Sequence, residues 1–425
     1  MERYEAYKDS GVEWIGEIPA GWEVRRIKEF CVLCTGHTPP TSVTEYFDGD
    51  VNWYTPGDIS DNRLEASRRK VSQLAIDDRQ VPIYPAGSVL LVAIGDTGRV
   101  GLSLLECSSN QQITALIPRK CYSNWLFYAM QAERARLNNL ALSTMIPILN
   151  NEYVSNYKLA LPSLEEQHVI ADYLDEKTAE IDGLIADCER EVELLQEYRK
   201  AVVSEAVTKG LDPDAPMKDS GIEWIGKMPK EWECVKIKAL FRIEKRIVGY
   251  EGPTVLSITQ RGIVPKDLKS GEGQLAMDYS NYQWVYPGDF AMNHMDLLTG
   301  WVDCSQVEGV TSPDYRVFVP LSENIHRSYF KYLFQHCYSG KVFYGLGQGV
   351  SGLGRWRLPT KRFNNFIVPY PSIAEQKKIV EALDTKTAEI DSLIEAKQSM
   401  VDKLREYRRS LISEAVTGKF KVPGV

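Results

Sequence analysis

The sequence predicts a mixed α/β chain with an internal pseudo-twofold repeat: two globular domains joined by two long helices that pack as an antiparallel coiled coil. Three observations predict it. Residues 8–28, KDSGVEWIGEIPAGWEVRRIK, return at 218–238 as KDSGIEWIGKMPKEWECVKIK, with 13 of 21 positions identical. Residues 162–208 return at 371–417 with 25 of 47 positions identical. The blocks between these segments, 31–160 and 241–369, are nearly equal in length yet share almost no identity. Matching framework and divergent blocks describe two units of one architecture, with the unit-specific information held in the blocks.

The framework segments are helical by period. From Leu174, steps of seven reach Ile181, Cys188, Leu195 and Val202, with Leu184 and Tyr198 interleaved. The second copy repeats the pattern with Leu383, Ile390, Lys397, Leu404 and Leu411, interleaved with Leu393, Met400 and Tyr407. Such an a/d seam predicts two helices of about forty residues, roughly 60 Å each, too one-sided to stand alone in water. Ser163 followed by Glu166, and Ser372 followed by Glu375, have capping-box spacing at the helix starts. Gly210 and Gly418 sit where the apolar stripes end. LDPDAP at 211–216 then reads as a linker, because Pro213 and Pro216 make helix continuation costly.

The divergent blocks read as strand and turn. SVLLVAIG at 88–95, ITALIP at 113–118, TVLSIT at 254–259 and YRVFVP at 315–320 are short β-rich runs. YPAG, GDTG, YPGD and TSPD bound them as turns. Each block adds one modest helical stretch, 123–137 and 327–341. Trp14, Trp22, Trp224 and Trp232 recur at matching framework positions, so they are expected to pack the entry segment onto its domain rather than to stack on bases.

Composition narrows the function. With 425 residues, 44% hydrophobic and 25% charged, the chain holds two or three ordinary domains and is not disordered. Its net charge of −8 excludes a uniformly basic nucleic-acid binder and leaves room for a local basic surface. The eight cysteines form no dense framework, and the charged N-terminus carries no apolar leader, so a reduced, soluble cytoplasmic protein is expected. No GxxxxGK[ST] loop is present. Nor is there a DPPY-like or NPPF-like tetrapeptide of the kind that holds a flipped base, since SPDY at 312–315 and NNEY at 150–153 lack the paired prolines. GLGQGVSGLG at 345–354 lacks a strand-to-helix context and reads as a flexible loop. Cys31, Cys34 and His37 make half a zinc site at best.

The doubled SGVEWIGEIPAGWEV and SGIEWIGKMPKEWEC, together with PSLEEQHVIADYLDEKTAEID and PSIAEQKKIVEALDTKTAEID, resemble the specificity subunit family of type I restriction-modification systems. TGHTPP at 35–40, NWYTPGDIS at 52–60 and TSPDYRVFVP at 311–320 are similar to family segments too. The resemblance implies target-recognition domains at 1–160 and 218–369, spacer helices at 161–210 and 370–419, a linker at 211–217 and a C-terminal tail at 420–425. It implies a non-catalytic subunit that reads a bipartite, asymmetric stretch of double-stranded DNA. Two adenine methyltransferase (modification) subunits and the restriction, or translocase, subunits would dock on it. No cofactor is expected in this chain; S-adenosylmethionine, ATP and Mg belong on the partners. A coiled-coil protein adaptor, and a methyltransferase with unrecognised motifs, stand as alternatives.

In the divergent blocks the DNA-contact candidates are Arg68, Arg69, Lys70, Arg99, Asn110, Gln111 and Gln112, then Lys245, Arg246, Gln260, Arg261, Asn293, His294, Arg316, Arg355 and Arg357. Arginine forks and amides match purine edges, and basic side chains match phosphates. Given the acidity of the chain, tight specific binding is expected only in the assembled complex.

Overall fold

The computed structural model describes residues 2–47, 49–141, 147–267, 278–349 and 356–425. Contacts divide it into two units, Met1–Glu189 with Ser399–Val425, and Arg190–Gln398. The two long helices run Leu164–Lys209 and Ile373–Val416, so each unit holds one globular domain and a stretch of both helices. Within each unit the helices run antiparallel. In the first unit Asp182 pairs with Arg408 at 2.8 Å and Glu189 with Arg405 at 2.6 Å. In the second, Arg199 pairs with Asp391 at 2.8 Å and Glu191 pairs with Lys397. Asp182 and Arg199 stand at the repeat positions of Asp391 and Arg408, so one ion pair is made twice with donor and acceptor helices exchanged.

The buried stripe differs from the heptad reading in one respect. Leu174, Ile181, Cys188, Leu383, Ile390 and Leu411 are buried, and Leu195, Val202 and Leu404 partly so. The interleaved Leu184, Tyr198, Leu393, Met400 and Tyr407 are each about half exposed. Thr178, Ile185, Val192 and Ala206, one residue further along than that set, turn inward instead, as do Thr387 and Val401. The stripe advances by four and then three, and polar threonines hide it from a hydrophobic count.

The first domain centres on a five-stranded sheet in the order Cys31–Thr35, Ile113–Pro118, Val89–Val92, Val100–Ser103, Asn62–Leu64. Its pairings are antiparallel except the last, which is parallel. A second sheet joins Cys107–Ser109, Val51–Tyr54 and Arg69–Val71. The second domain has a smaller antiparallel sheet, Phe241–Glu244, Arg316–Pro320, Phe290–Met292, Val302–Cys304, with a hairpin at Leu256–Thr259 and Gly262–Pro265. The helix Ser123–Ala132 in the first domain and Arg327–Ser339 in the second cover their sheets.

Both domains are fastened to the helices by the same atoms. The Gln167 side chain accepts from the Tyr122 amide at 2.8 Å and donates to the Pro162 carbonyl at 2.9 Å. Gln376 accepts from His326 and donates to Pro371 at the same distances. Tyr128 donates to Asp175 at 2.6 Å and meets Thr178; Tyr332 donates to Asp384 at 2.7 Å and meets Thr387. Both glutamines are fully buried, so each of these bonds is costly to leave unmade. The capping box at Ser163 is closed in both directions, and Glu166 also accepts from the Trp22 indole at 3.1 Å.

Each domain core closes on the start of one long helix and the end of the other. The first takes Ile170 and Leu174 with Ile412 and Ala415; the second takes Ile379 and Leu383 with Val203 and Val207. The stops are built to let this happen. Gly418, at φ +69°, lies where an added Cβ would sit 2.5 Å from Pro19, beside the buried Trp22. Gly210, at φ +78°, stands in the same way against Trp232. Trp14 and Trp224 take lighter roles: Trp14 is 43% exposed beside Tyr157, and Trp224 stacks on Phe366 at 5.3 Å.

Two glycine substitutions of opposite sign test this frame. Gly418→Ala meets both a left-handed backbone and Pro19, and thermal unfolding should show a loss of roughly 2 kcal/mol. Gly183→Ala, in mid-helix with open space around it, should add about 1 kcal/mol.

Candidate nucleic-acid interface

In the first domain, three segments far apart in the chain converge around Trp53. Its indole donates to the His37 carbonyl at 3.1 Å, while the His37 amide donates to the Ser109 carbonyl at 2.9 Å and its ring holds the Gln80 carbonyl at 2.7 Å. Gly36 makes this approach possible, since a Cβ there would fall 2.1 Å from the Asn110 carbonyl. The Asn110 amide in turn reaches the Tyr54 carbonyl at 3.0 Å. Thus 35–38, 52–58 and 109–112 form one continuous surface.

The candidates on that surface separate by role. Asn110 is buried and its amide locks Gln112, which returns a backbone bond. Arg99 is tied to the Ile59 carbonyl at 2.7 Å and to Asp96. These three shape the surface. Arg68, Arg69, Lys70 and Gln111 remain exposed. Arg68 has an 80% exposed side chain with Asp58 at 3.7 Å, and Arg69 lies over the Phe47 and Trp53 rings at 5.1 and 5.0 Å. Gln111 accepts from Thr38 at 2.5 Å, which aims an amide outward from a braced turn. Sequence reasoning missed the Phe47 and Trp53 platform and the Thr38 brace. The TGHTPP and NWYTP segments signalled both, but only as resemblances.

In the second domain, Arg316 is buried rather than presented. Its guanidinium donates to the Leu358 carbonyl at 2.9 Å and lies 4.4 Å from the Phe363 ring centre. Burial pushes it down to about 10, so it stays charged at neutral pH without a carboxylate partner among the described residues. His294 lies beside it, and burial, Arg316 and Arg357 hold its imidazole down to about 3, hence uncharged. Arg246 pairs with Asp289 at 2.5 Å and sits over Tyr286. Asn293 uses its backbone to bind Tyr338 and Trp301, and its side chain caps Met295. It borders a cavity of about 540 Å³ that is also lined by Ser257, Thr259, Lys266 and Tyr282. Lys245, Gln260, Arg261 and Arg357 are exposed, and Gln260 and Arg261 form the hairpin tip. Arg355, and the glycine-rich segment from residue 350 onward, lie outside the described residues.

Cys31, Cys34 and His37 do not come together: Cys31 faces Cys121 at 3.9 Å, and His37 is bound to Gln80. Among the described residues there is no cluster of three or more metal-ligating side chains, and no helix is long and apolar enough to cross a membrane. Burial separates the arginines experimentally. Arg316→Ala should cost about 2–4 kcal/mol in chemical denaturation, through lost packing and orphaned acceptors. Arg261→Ala, at the exposed tip, should stay within roughly 0.5 kcal/mol of the parent.

A family model described as the type I restriction modification DNA specificity domain matches this chain twice, at residues 19–193 and 229–401. The MjaVIII type I restriction enzyme specificity subunit of Methanocaldococcus jannaschii is 25% identical, with 95% of this chain and 94% of that protein covered. The EcoKI specificity subunit of Escherichia coli is 19% identical, with 95% and 90% covered. Among solved structures, a chain from work on complex assembly and conformational transition of the type I R-M system superposes with a TM-score of 0.68 at 17% identity, covering 94% of this chain and 98% of its own. The HsdS subunit from Thermoanaerobacter tengcongensis gives 0.50 at 17%, covering 96% and 99%. The two family matches fall on the two repeats, and each takes in one of the candidate surfaces and the first part of the long helix that follows it. The chain belongs to the type I restriction-modification DNA specificity family, as a DNA-binding specificity subunit, the member of such a system that carries no catalytic centre.

Proposed function

We propose that this subunit reads a bipartite, asymmetric DNA target, one half through residues 1–160 and the other through 218–369. The helices at 161–210 and 370–419, with the linker 211–217 and the tail 420–425, set the gap between the halves. The same helices offer equivalent docking sites to two modification subunits, and restriction subunits join the assembly. S-adenosylmethionine, ATP and Mg act on those partners.

One observation carries this reading: two domains whose blocks 31–160 and 241–369 share almost no sequence identity are fastened by repeated atoms, Gln167 with Asp175 and Thr178 in one unit, Gln376 with Asp384 and Thr387 in the other. A frame that holds unlike domains in like fashion suits a reader whose two half-sites differ while its partners are the same. In the first domain the exposed reading set is Arg68, Arg69, Lys70 and Gln111, with Asn110 and Gln112 bracing it. In the second it is Lys245, Gln260, Arg261 and Arg357, with Asn293 at the polar cavity. Arg99, Arg246, His294 and Arg316 support these surfaces from behind.

Co-expression with a cognate modification subunit, followed by single-molecule mapping of methylated adenines, should return one asymmetric motif with a fixed gap. Active methyltransferase without chain-dependent methylation would favour a protein adaptor instead. Inserting one heptad into both long helices adds about 10 Å, and should lengthen the gap by about three base pairs while leaving both half-sites unchanged. A change in half-site identity would refute the spacing role of the helices.

A further inference from the structure

The second unit contains a cavity of about 610 Å³ where its domain meets the start of the second long helix. Arg327, Lys331 and Lys377 line it, from two different helices. None of the three makes an ion pair with a carboxylate among the described residues. Arg327 spends only its Nε, on the Gly288 carbonyl at 3.0 Å, and Gly288 leaves room for that approach. Lys331 lies over the Tyr332 ring, and Lys377 is exposed. Glu323 is the one carboxylate among the lining residues. The Nδ1 atom of His326, also in the lining, is buried without a hydrogen-bond partner. Burial and the nearby Lys377 hold this imidazole below its ordinary range. The first turns of two helices, Arg327–Ser339 and Ile373–Val416, border the same space, and their first-turn amides, which lack intrahelical acceptors, add partial positive charge, that of Glu375 being held by the Ser372 hydroxyl.

The first unit supplies an internal comparison. The repeat position of Lys377 is His168, and the residue that binds Gln167 as His326 binds Gln376 is Tyr122. Tyr122 and His168 are stacked at 3.7 Å, closing the equivalent place with two rings. Ser123 and Phe127 stand where Arg327 and Lys331 stand in the second unit. The framework therefore does not require cations here; one repeat alone concentrates them, in a chain of net charge −8.

We propose that this cavity is an anion site that takes a backbone phosphate of the bound DNA, an anchor that only the second recognition unit possesses. The proposal rests on the DNA-binding role of the chain. Arginine, lysine and helix-start amides around a concave space suit a tetrahedral oxyanion, and such contacts fix position without reading sequence.

The test uses the subunit purified with its methyltransferase partner and measures affinity for target and scrambled duplexes across a salt series. Arg327→Gln with Lys377→Gln should reduce the slope of log affinity against log salt by about 1–2, and weaken both duplexes by the same factor, roughly tenfold near 100 mM salt. Lys377→Gln alone, at an exposed side chain without an ion pair among the described residues, should lower the slope by about 1. The charge-matched pair Lys378→Gln with Lys386→Gln, outside the cavity, should leave it unchanged. An unchanged slope in the cavity variants, or an equal fall in the charge-matched pair, would overturn the proposal. Loss of thermal stabilisation by millimolar inorganic phosphate with DNA binding intact would assign the site to free phosphate and overturn the DNA contact. Loss of co-purification with DNA binding intact would assign it to an acidic protein surface, with the same result. If the unsubstituted complex binds neither duplex, the DNA-binding role fails on its own, before any variant is compared.

Discussion

The structure depends on a shortage of cover for two long amphipathic helices. Each is too long and too one-sided to persist in water, and each finds cover in two kinds of neighbour, the other helix and a globular domain. In both units the helix pairing is oriented by an aspartate and an arginine that swap helices, Asp182 with Arg408 and Asp391 with Arg199. These partners are partly exposed, so their value lies in direction and register more than in stability. Antiparallel packing then brings the start of one helix beside the end of the other, and each domain core is completed by that combination.

This arrangement explains which residues repeat. Ser163 and Ser372, Gln167 and Gln376, Thr178 and Thr387, Gly210 and Gly418 all lie at the junction between a helix and a domain. A change at either serine removes a helix cap at an exposed site, and a change at any of the others leaves a buried polar group unpaired or a backbone strained. The domains answer with different residues that reach the same atoms. Tyr122 and His326 offer only their backbone amides to the glutamines, so their side chains are free to diverge, and they do, into a ring stacked on His168 in one unit and an imidazole beside Arg327, Lys331 and Lys377 in the other.

The fold was legible in the sequence where one residue type answers to one local demand. Ser163 and Glu166 form the capping box, Gly418 and Gly210 take left-handed backbone at the helix ends, and the β-branched run at 113–118 is a strand. The helix stripe was legible in period but misplaced at the interleaved positions, because Thr178 and Thr387 are buried through bonds to Tyr128 and Tyr332 that no pattern of hydrophobicity records. The candidate surface was less legible. Arg69 and Arg316 are the same residue type in β-rich context, yet one lies exposed over an aromatic platform and the other is sealed beneath Leu358 and Phe363. What separates them is the depth of a strand within a sheet, a tertiary property.

The net charge of −8 constrains how such a chain can meet DNA. Acidic residues are concentrated on the long helices, where Asp182, Glu189, Glu191 and Asp391 are used in ion pairs with cations of the other helix. That use consumes arginines and lysines without presenting them to a polyanion. Among the described residues, the cations that the proposed reading assigns to DNA are local: the row at Arg68, Arg69 and Lys70, Lys245, the hairpin tip at Arg261, Arg357, and the wall formed by Arg327, Lys331 and Lys377. Because each neutralised phosphate contributes to affinity, a short set of contacts gives weak general attraction, and discrimination must come from the shaped surfaces between them. On the proposed reading, an acidic specificity subunit is thereby kept from holding arbitrary DNA, and its affinity rises only where a target fits both surfaces and a partner completes the electropositive path.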